Sequence, residues 1–137
     1  MKQLRRADIP QFRASGRDRL TRLADFLENM PGGMLTFTRW YGDSRGCAIG
    51  LAATYDPWFQ AQGLTLVDGG TLKECRPVFE DRSEWRAVAQ FFDISLGAAL
   101  DLFTAGGYGG DMRPPASDVA QKVRAHLAQT AAEEVVA

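Results

Sequence analysis

The stretch SEWRAVAQFFDISLGAALDLF, residues 83–103, decides the fold class of this chain. Its large apolar residues recur at helical spacing, first over residues 85–92 and then over residues 96–103. A polar break separates the two segments, and Ser95 is a suitable N-cap for the second. The stretch therefore predicts two helices joined by a tight turn.

Helical spacing recurs on both sides of this pair. Residues 15–30 place apolar side chains along one helical face with charges opposite, behind Ser15 as a candidate N-cap. Shorter helices are expected over residues 46–54 and from Pro57 onward. A last helix is expected to begin near residues 115–118, where proline and acidic residues suit a first turn.

The stretch GLTLVDGGTLKECRPVF, residues 63–79, predicts the β-structure. Two short apolar segments flank Asp68-Gly69-Gly70, which suits a hairpin over residues 64–79. Pro77 has no N–H for a ladder, which predicts that the second strand is an edge. Two strands are not stable alone, so the hairpin must pack on helices. The predicted fold is mainly α, of the α+β class: a compact bundle of four to five helices with a small two-stranded β-hairpin.

Length and composition predict one domain. The 137 residues fall within the usual size of a single domain, and the apolar and charged shares are ordinary for a globular protein. We expect a basic N-terminal arm over residues 1–14, one globular domain over residues 15–130 and a frayed tail over residues 131–137. Tyr108 is expected to anchor the glycine-rich loop, residues 104–115, against the body of the domain.

The sequence also predicts the compartment. It has no run of about 18 apolar residues that could span a membrane. The charged N-terminus lacks the apolar region of a secretory signal. Two cysteines, Cys47 and Cys75, are too few for a disulfide framework. We therefore expect a cytoplasmic protein with reduced thiols and no membrane partner.

Charge is distributed unevenly along the chain. Residues 1–22 carry seven basic and two acidic side chains, a net charge of +5, and the whole chain carries −1, so the remainder carries −6. The basic side chains Arg5, Arg6, Arg13 and Arg17 are therefore candidate contacts to nucleic acid. The favoured alternative is that the arm packs on the acidic body of its own chain or of a second subunit.

The helix pair at residues 83–103 has the rhythm of a helix-turn-helix motif but lacks a reading surface. A recognition helix presents polar side chains that bond to base edges. The second helix here offers only small and apolar residues and then Asp101, whose charge would repel phosphate. We expect an ordinary packed pair of helices.

Cys47 has two interpretations. A thiol at a helix N-terminus has its thiolate favoured by the helix dipole and by the nearby Arg45, so Cys47 with His126, the only histidine, would form a nucleophile–base dyad. Cysteine also packs as a small hydrophobe, and CAIGLAA, residues 47–53, is a small-residue run that suits close helix packing. Nothing in the sequence brings Cys47 and His126 together, and packing is the favoured interpretation.

No further motif indicates a metal or a cofactor. Cys47, Cys75 and His126 lack the C-x-x-C or H-x-x-x-H spacing that would arrange them as ligands. GGYGG, residues 106–110, lacks the Lys-Ser/Thr of a phosphate-binding loop. The carboxylates are scattered, without a pair whose spacing indicates acid–base catalysis. We therefore expect neither metal nor cofactor.

The stretch FTRWYGDSRGCAIGLAA, residues 37–53, contains a Trp followed by Cys-Ala-x-Gly. The stretch AVAQFFDISLGAALDLF, residues 87–103, contains Phe-Phe-x-Ile-Ser, and PPASDVAQKVRAHL follows at residues 114–127. Over roughly residues 35–128, this pattern resembles a group of small bacterial and phage-associated proteins of unassigned function. Many members carry Cys-Gly-Thr before the cysteine, where this chain has Gly42-Asp43-Ser44. The resemblance implies a mostly helical single domain and supplies no activity.

These observations predict a non-catalytic binding or accessory protein of the bacterial cytoplasm, acting through a protein partner or through self-association. Aromatic residues dominate interface hot spots, so Trp40 and Trp58 are candidate partner anchors unless they belong to the core. Two alternatives stay open: nucleic-acid binding through the basic arm, and a cysteine-dependent enzyme that uses Cys47 with His126.

Overall fold

The computed structural model describes residues 13–42, 44–68 and 75–136 of the chain. Within these ranges the α-helices are α1 (Gly16–Glu28), α2 (Ala48–Tyr55), α3 (Pro57–Ala61), α4 (Glu84–Phe92), α5 (Leu96–Phe103) and α6 (Ala116–Val136), and a 3₁₀ helix spans Ala105–Tyr108. The strands are β1 (Tyr41–Gly42), β2 (Arg45–Gly46), β3 (Thr65–Asp68), β4 (Cys75–Phe79) and β5 (Arg82–Ser83). The α+β class is confirmed, with more helices and a larger sheet than the sequence predicts.

The helix signals of the sequence are confirmed at their N-terminal caps. Ser15 and Ser95 each accept, on the side-chain oxygen, the N–H of the residue three positions on. Asp93 takes the left-handed backbone conformation, with φ of 55°, and turns the chain between α4 and α5. The short helix expected from Pro57 is α3, capped by Asp56, and with it the described ranges hold six α-helices, more than the predicted four to five.

The predicted hairpin belongs to a larger antiparallel sheet. β3 pairs with β4 as expected, but β4 also pairs with β1 and β5, and β1 pairs with β2. The prediction of a two-stranded hairpin with β4 as an edge is therefore wrong. Pro77 is tolerated because β1 meets β4 at Cys75 and β5 meets it at Val78 and Phe79, on either side of the proline.

The core lies between the inner faces of the helices and one face of the sheet. Its largest fully buried side chains are Phe59, Phe91, Phe92, Phe103, Leu20, Leu23, Leu27, Ile49, Leu51, Leu64, Val88 and Val119. Arg19 also lies in this core and is 5% exposed. Its Nη1 donates to the backbone carbonyl oxygen of Phe91 at 2.8 Å, and its guanidinium lies 4.3 Å from the centroid of the Phe91 ring. One cation of the basic segment therefore stabilises the fold.

Small residues around the start of α2 let a neighbouring loop approach closely. A Cβ added to Gly46 or Gly50 would overlap the carbonyl oxygen of Trp40. Cys47 is the N-cap residue of α2, and its backbone N–H donates to the carbonyl oxygens of Arg39 and Trp40, at 3.0 and 3.2 Å. The small-residue run therefore packs as the sequence suggests.

Tyr108 anchors the glycine-rich loop as expected. Its hydroxyl donates to the carbonyl oxygen of Leu102 at 2.6 Å, and its ring centroid lies 5.4 Å from that of Phe37. Lys122 Nζ lies 4.6 Å from the same ring and donates to the carbonyl oxygen of Gly107 at 2.6 Å. Burial raises the pKa of the Tyr108 phenol above its usual range, so the hydroxyl stays a donor at neutral pH.

The ends of the chain bear on the predicted arm and tail. Residues 1–12 of the arm lie outside the described residues, and α6 includes residues 131–136. The fraying of residues 131–137 stays a prediction. No helix in the described ranges is long and apolar enough to cross a membrane.

Candidate binding groove

A groove of about 520 Å³ opens between the C-terminal half of α1 and the junction of α2 with α3. We call it the α1 groove. Its apolar lining is Phe26, Met30, Pro31, Met34 and Tyr55, and its polar lining is Arg22, Asp25, Asn29 and Asp56. This volume lies within the usual range for ligand pockets, roughly 300–1,000 Å³.

The helical repeat of α1 explains one wall of the α1 groove. The buried leucines of α1 face the core. The adjacent face presents Arg22, Asp25, Phe26 and Asn29 at three- or four-residue spacing. The chain turns after α1, with Pro31 three residues beyond the last helical residue, and Met30 and Met34 also lie along the groove. Both methionines are half-buried and pack against the core.

An ion pair forms part of the polar lining. Arg22 donates from Nε and Nη2 to the two carboxylate oxygens of Asp56, at 3.0 and 3.1 Å. Asp56 Oδ1 also accepts the N–H of Trp58 at 3.1 Å and so caps α3. Burial alone would raise the pKa of Asp56, but the hydrogen bonds from Arg22 and the Trp58 N–H outweigh it and hold that pKa below its usual range. The carboxylate is therefore ionised at neutral pH.

A second charged cluster lies at the end of α1. Arg124 of α6 donates from Nη2 to Asp25 and to Glu28, at 2.7 Å each, and from Nε to Glu28 at 2.9 Å. Both acids lie in the last turn of α1, where the helix dipole favours cations, and this turn holds no basic residue. Two carboxylates thus share one guanidinium, which leaves a net negative charge beside the α1 groove.

Cys47 lies in a different and smaller pocket, of about 180 Å³. Its side chain is 4% exposed, and the pocket is lined among others by Trp40, Glu84 and Trp85. His126 is not among the lining residues. It is half-buried on α6, a helix that packs mainly on α1 and α5. The Cys47–His126 dyad stays a prediction.

Two of the four candidate nucleic-acid contacts, Arg13 and Arg17, bind other groups of the same chain. Arg13 binds Glu80, with 3.2 Å between Nη2 and Oε2. Arg17 donates to Thr130 Oγ1 at 2.6 Å and to the carbonyl oxygen of Leu127 at 2.8 Å. Arg5 and Arg6 lie outside the described residues.

The two candidate anchor tryptophans are half-buried and pack against the core. The ring centroid of Trp40 lies 4.6 Å from that of Trp85, beside the Cys47 pocket. Trp58 lies under the Arg22 guanidinium, 5.3 Å from its ring centroid, next to the α1 groove but not among its lining residues. Their role as partner anchors stays a prediction.

Sequence reasoning missed the α1 groove. Phe26 carried the only local signal, because it is a large apolar residue placed off the apolar stripe of α1, two residues from its end. Tyr55 gave no signal, since its approach to Phe26 depends on how α2 packs against α1. Across the described part of the chain, no three His, Cys, Asp or Glu side chains are grouped so that they could hold a metal ion.

Comparison with protein-family models, with curated proteins and with solved structures gives no match for this chain. The resemblance to phage-associated proteins therefore stays a prediction, and a function for the α1 groove has to follow from the chemistry of its own residues.

Proposed function

We propose that the protein is a non-catalytic binding protein of the bacterial cytoplasm, and that its α1 groove holds a segment of a partner protein. The bound segment carries large apolar side chains and at least one cation. The observation that carries this proposal is a half-open apolar groove with unbalanced negative charge at its edge.

The apolar lining supports a segment with large apolar side chains. Phe26, Met30 and Met34 are half-buried, and Tyr55 is 47% exposed, so each has apolar surface left to cover. Covering such surface stabilises a complex by roughly 25 cal/mol per Å². Methionine side chains also adapt to differently shaped partners. Linear protein segments commonly dock apolar anchors in such grooves.

The charges support a cationic segment. Of the two carboxylates that line the α1 groove, Asp56 has Arg22 as its own partner, whereas Asp25 shares Arg124 with Glu28. The side chain of Asp25 is 59% exposed and can accept a further donor. A lysine or arginine of the partner would also be favoured by the C-terminal end of the α1 dipole.

The rigidity of Arg22 supports a preformed site. Its guanidinium bonds to both oxygens of Asp56 and lies over Trp58, so it forms a fixed part of the wall. A wall that is already ordered loses little conformational entropy when a partner binds.

The two alternatives have weaker support. Nucleic-acid binding would recruit Arg13 and Arg17 from the internal contacts that they make with Glu80 and with α6. A cysteine enzyme would need substrate to reach Cys47, whose side chain is 4% exposed. Self-association through the α1 groove remains the alternative within the binding class.

The test is selection of peptides on the full chain from a display library of random 12-residue sequences. We expect a consensus that combines large apolar residues with lysine or arginine. Asp25→Asn should weaken a selected peptide about two- to fivefold, which corresponds to one exposed ion pair. Glu28→Gln, which removes the other carboxylate of the same cluster, should weaken it as well. The matched control is Asp81→Asn, which removes a carboxylate that is 87% exposed and lies outside the groove lining, so the affinity should stay unchanged.

A second pair of variants tests the apolar contact. Met30→Ser removes apolar lining and should weaken the peptide about five- to tenfold. Met112→Ser removes a methionine that is 41% exposed and lies outside the groove lining, so it should have no effect. Equal effects of the groove and control variants, or selected peptides without a cation, would overturn the proposal.

A further inference from the structure

The N-terminal segment of this chain has the chemistry that the α1 groove favours. Residues 1–12 read MKQLRRADIPQF, with three basic side chains against one acid and with Met1, Leu4, Ile9 and Phe12 as large apolar side chains. We propose that this segment docks in the α1 groove of its own chain and that a partner must displace it. The inference rests on the proposed function and adds its regulation.

The point where the segment joins the domain supports this docking. The backbone N–H of Ala14 donates to Gln62 Oε1 at 2.8 Å, and Gln62 is the C-cap residue of α3. Asp56, which lines the α1 groove, is the N-cap residue of the same helix. At 1.5 Å per residue the two caps lie roughly 9 Å apart. An extended segment of 12 residues spans up to roughly 40 Å, so it reaches the whole groove.

The charges on the two sides are complementary. Arg5 and Arg6 lie between the apolar residues of the segment. The cluster formed by Asp25, Glu28 and Arg124 keeps a net negative charge at the edge of the α1 groove. An apolar side chain in the groove therefore places a neighbouring arginine within reach of an incompletely neutralised carboxylate.

Attachment to the same chain favours this occupant over a second copy. A short tether holds the segment near the α1 groove at an effective concentration in the millimolar range. A second copy reaches this level only when the protein itself is millimolar. The segment therefore competes with any partner. It lowers the apparent affinity of the partner in proportion to the fraction of molecules whose α1 groove is free.

Paramagnetic broadening of amide NMR signals tests where the segment lies. A nitroxide label is attached to Gln3→Cys in a full chain that also carries Cys75→Ser, since Cys47 is 4% exposed and does not compete for the label. We expect strong broadening of the amides of Phe26, Asn29 and Met30. In a matched control, Leu4, Ile9 and Phe12 are replaced by serine, and the broadening should become weak and diffuse.

Mixing experiments separate the occupants. A mixture of ¹⁵N-labelled chain without nitroxide and unlabelled chain with nitroxide should show no broadening in the α1 groove. Broadening that appears in this mixture would assign the occupant to a second copy and overturn the inference. Broadening that is equally diffuse in the labelled chain and in the serine control would also overturn it.

Peptide binding separates this inference from the proposed function. A library-selected peptide should bind the chain with the three serines about three- to tenfold more tightly than the unaltered chain, as release of a millimolar-range competitor predicts. Equal affinity for both chains would overturn the regulation and leave the proposed function intact. Docking of the segment, with no selected peptide that binds either chain, would instead overturn the proposed function.

Discussion

Asp56 performs two separable tasks, and replacing it in two ways distinguishes them. Its carboxylate pairs with Arg22, and its Oδ1 caps α3 through the N–H of Trp58. Asp56→Asn keeps a good N-cap residue and removes the charge, whereas Asp56→Ala removes both. The difference between the variants therefore measures the cap, and the difference between Asp56→Asn and the unaltered chain measures the ion pair.

The expected losses of stability follow from the solvent exposure of Arg22 and from the usual contribution of an N-cap. The side chain of Arg22 is 46% exposed, so solvent screens the pair and its contribution falls at the upper end of the surface range, about 0.5–1 kcal/mol. Loss of an N-cap costs about 1 kcal/mol. We expect Asp56→Asn to lower the free energy of unfolding by about 0.5–1 kcal/mol and Asp56→Ala by about 1.5–2 kcal/mol. At roughly 4 °C per kcal/mol, Tm falls by roughly 2–4 °C and 6–8 °C.

The effect of pH gives an independent check, because the folded pKa of Asp56 lies below its usual range. A depressed pKa means that the folded state binds the proton more weakly than the unfolded state does. The pair therefore contributes its full stability above the unfolded pKa of about 3.9 and loses it as pH falls through the folded pKa. The gap in Tm between the unaltered chain and Asp56→Asn should close in acid.

The Tm of all three chains is measured by thermal unfolding, followed by circular dichroism at 222 nm, at neutral pH and near pH 3. Two results would refute the reasoning: an Asp56→Asn chain as unstable as Asp56→Ala at neutral pH, or a gap between Asp56→Asn and the unaltered chain that persists unchanged in acid. The first would mean that the amide does not cap α3. The second would mean that the charge of Asp56 contributes nothing to stability.

Two further predictions concern the small-residue run. Gly50→Ala forces a Cβ into the carbonyl oxygen of Trp40 and should lower the free energy of unfolding by at least about 2 kcal/mol in urea unfolding. The control Gly97→Ala, on the open side of α5, should instead raise it by about 0.5–1 kcal/mol. Equal effects of the two variants would contradict the close approach of Trp40 to Gly50. In the native protein, a thiol reagent such as Ellman's reagent should modify the half-buried Cys75 and leave Cys47 unmodified until unfolding, and a fast reaction that disappears in Cys47→Ala would instead support the enzyme hypothesis.

The elements that the sequence predicts correctly are those with local causes. Ser15 and Ser95 begin α1 and α5 because each cap bonds within its own first turn. β3 and β4 pair because they are close in sequence and carry apolar residues around a turn signal. In each case the deciding contact spans few residues, so a pattern in the sequence is sufficient.

What the sequence did not predict depends on distant contacts. β1 joins β4 because Tyr41 meets Cys75 from another part of the chain, and this pairing also makes the edge assignment of β4 wrong. Arg19 reads as one more cation of a basic segment, yet it lies in the core because its donors meet the Phe91 carbonyl and Gln62. The α1 groove likewise requires α1 and α2 to pack before Tyr55 can line it.

The contacts between α1 and α6 have a consequence for the order of events during synthesis. Arg124 reaches back 96 residues to Glu28, and Arg17 reaches forward 113 residues to Thr130. A ribosome therefore releases α1 long before the helix that covers it has been translated. Until then the side of α1 that packs on α6 stays uncovered, although α2 and α4 can already contact α1. The domain therefore closes only after almost all of residues 13–136 have been synthesised. We expect chaperones to bind a nascent chain that is truncated before α6.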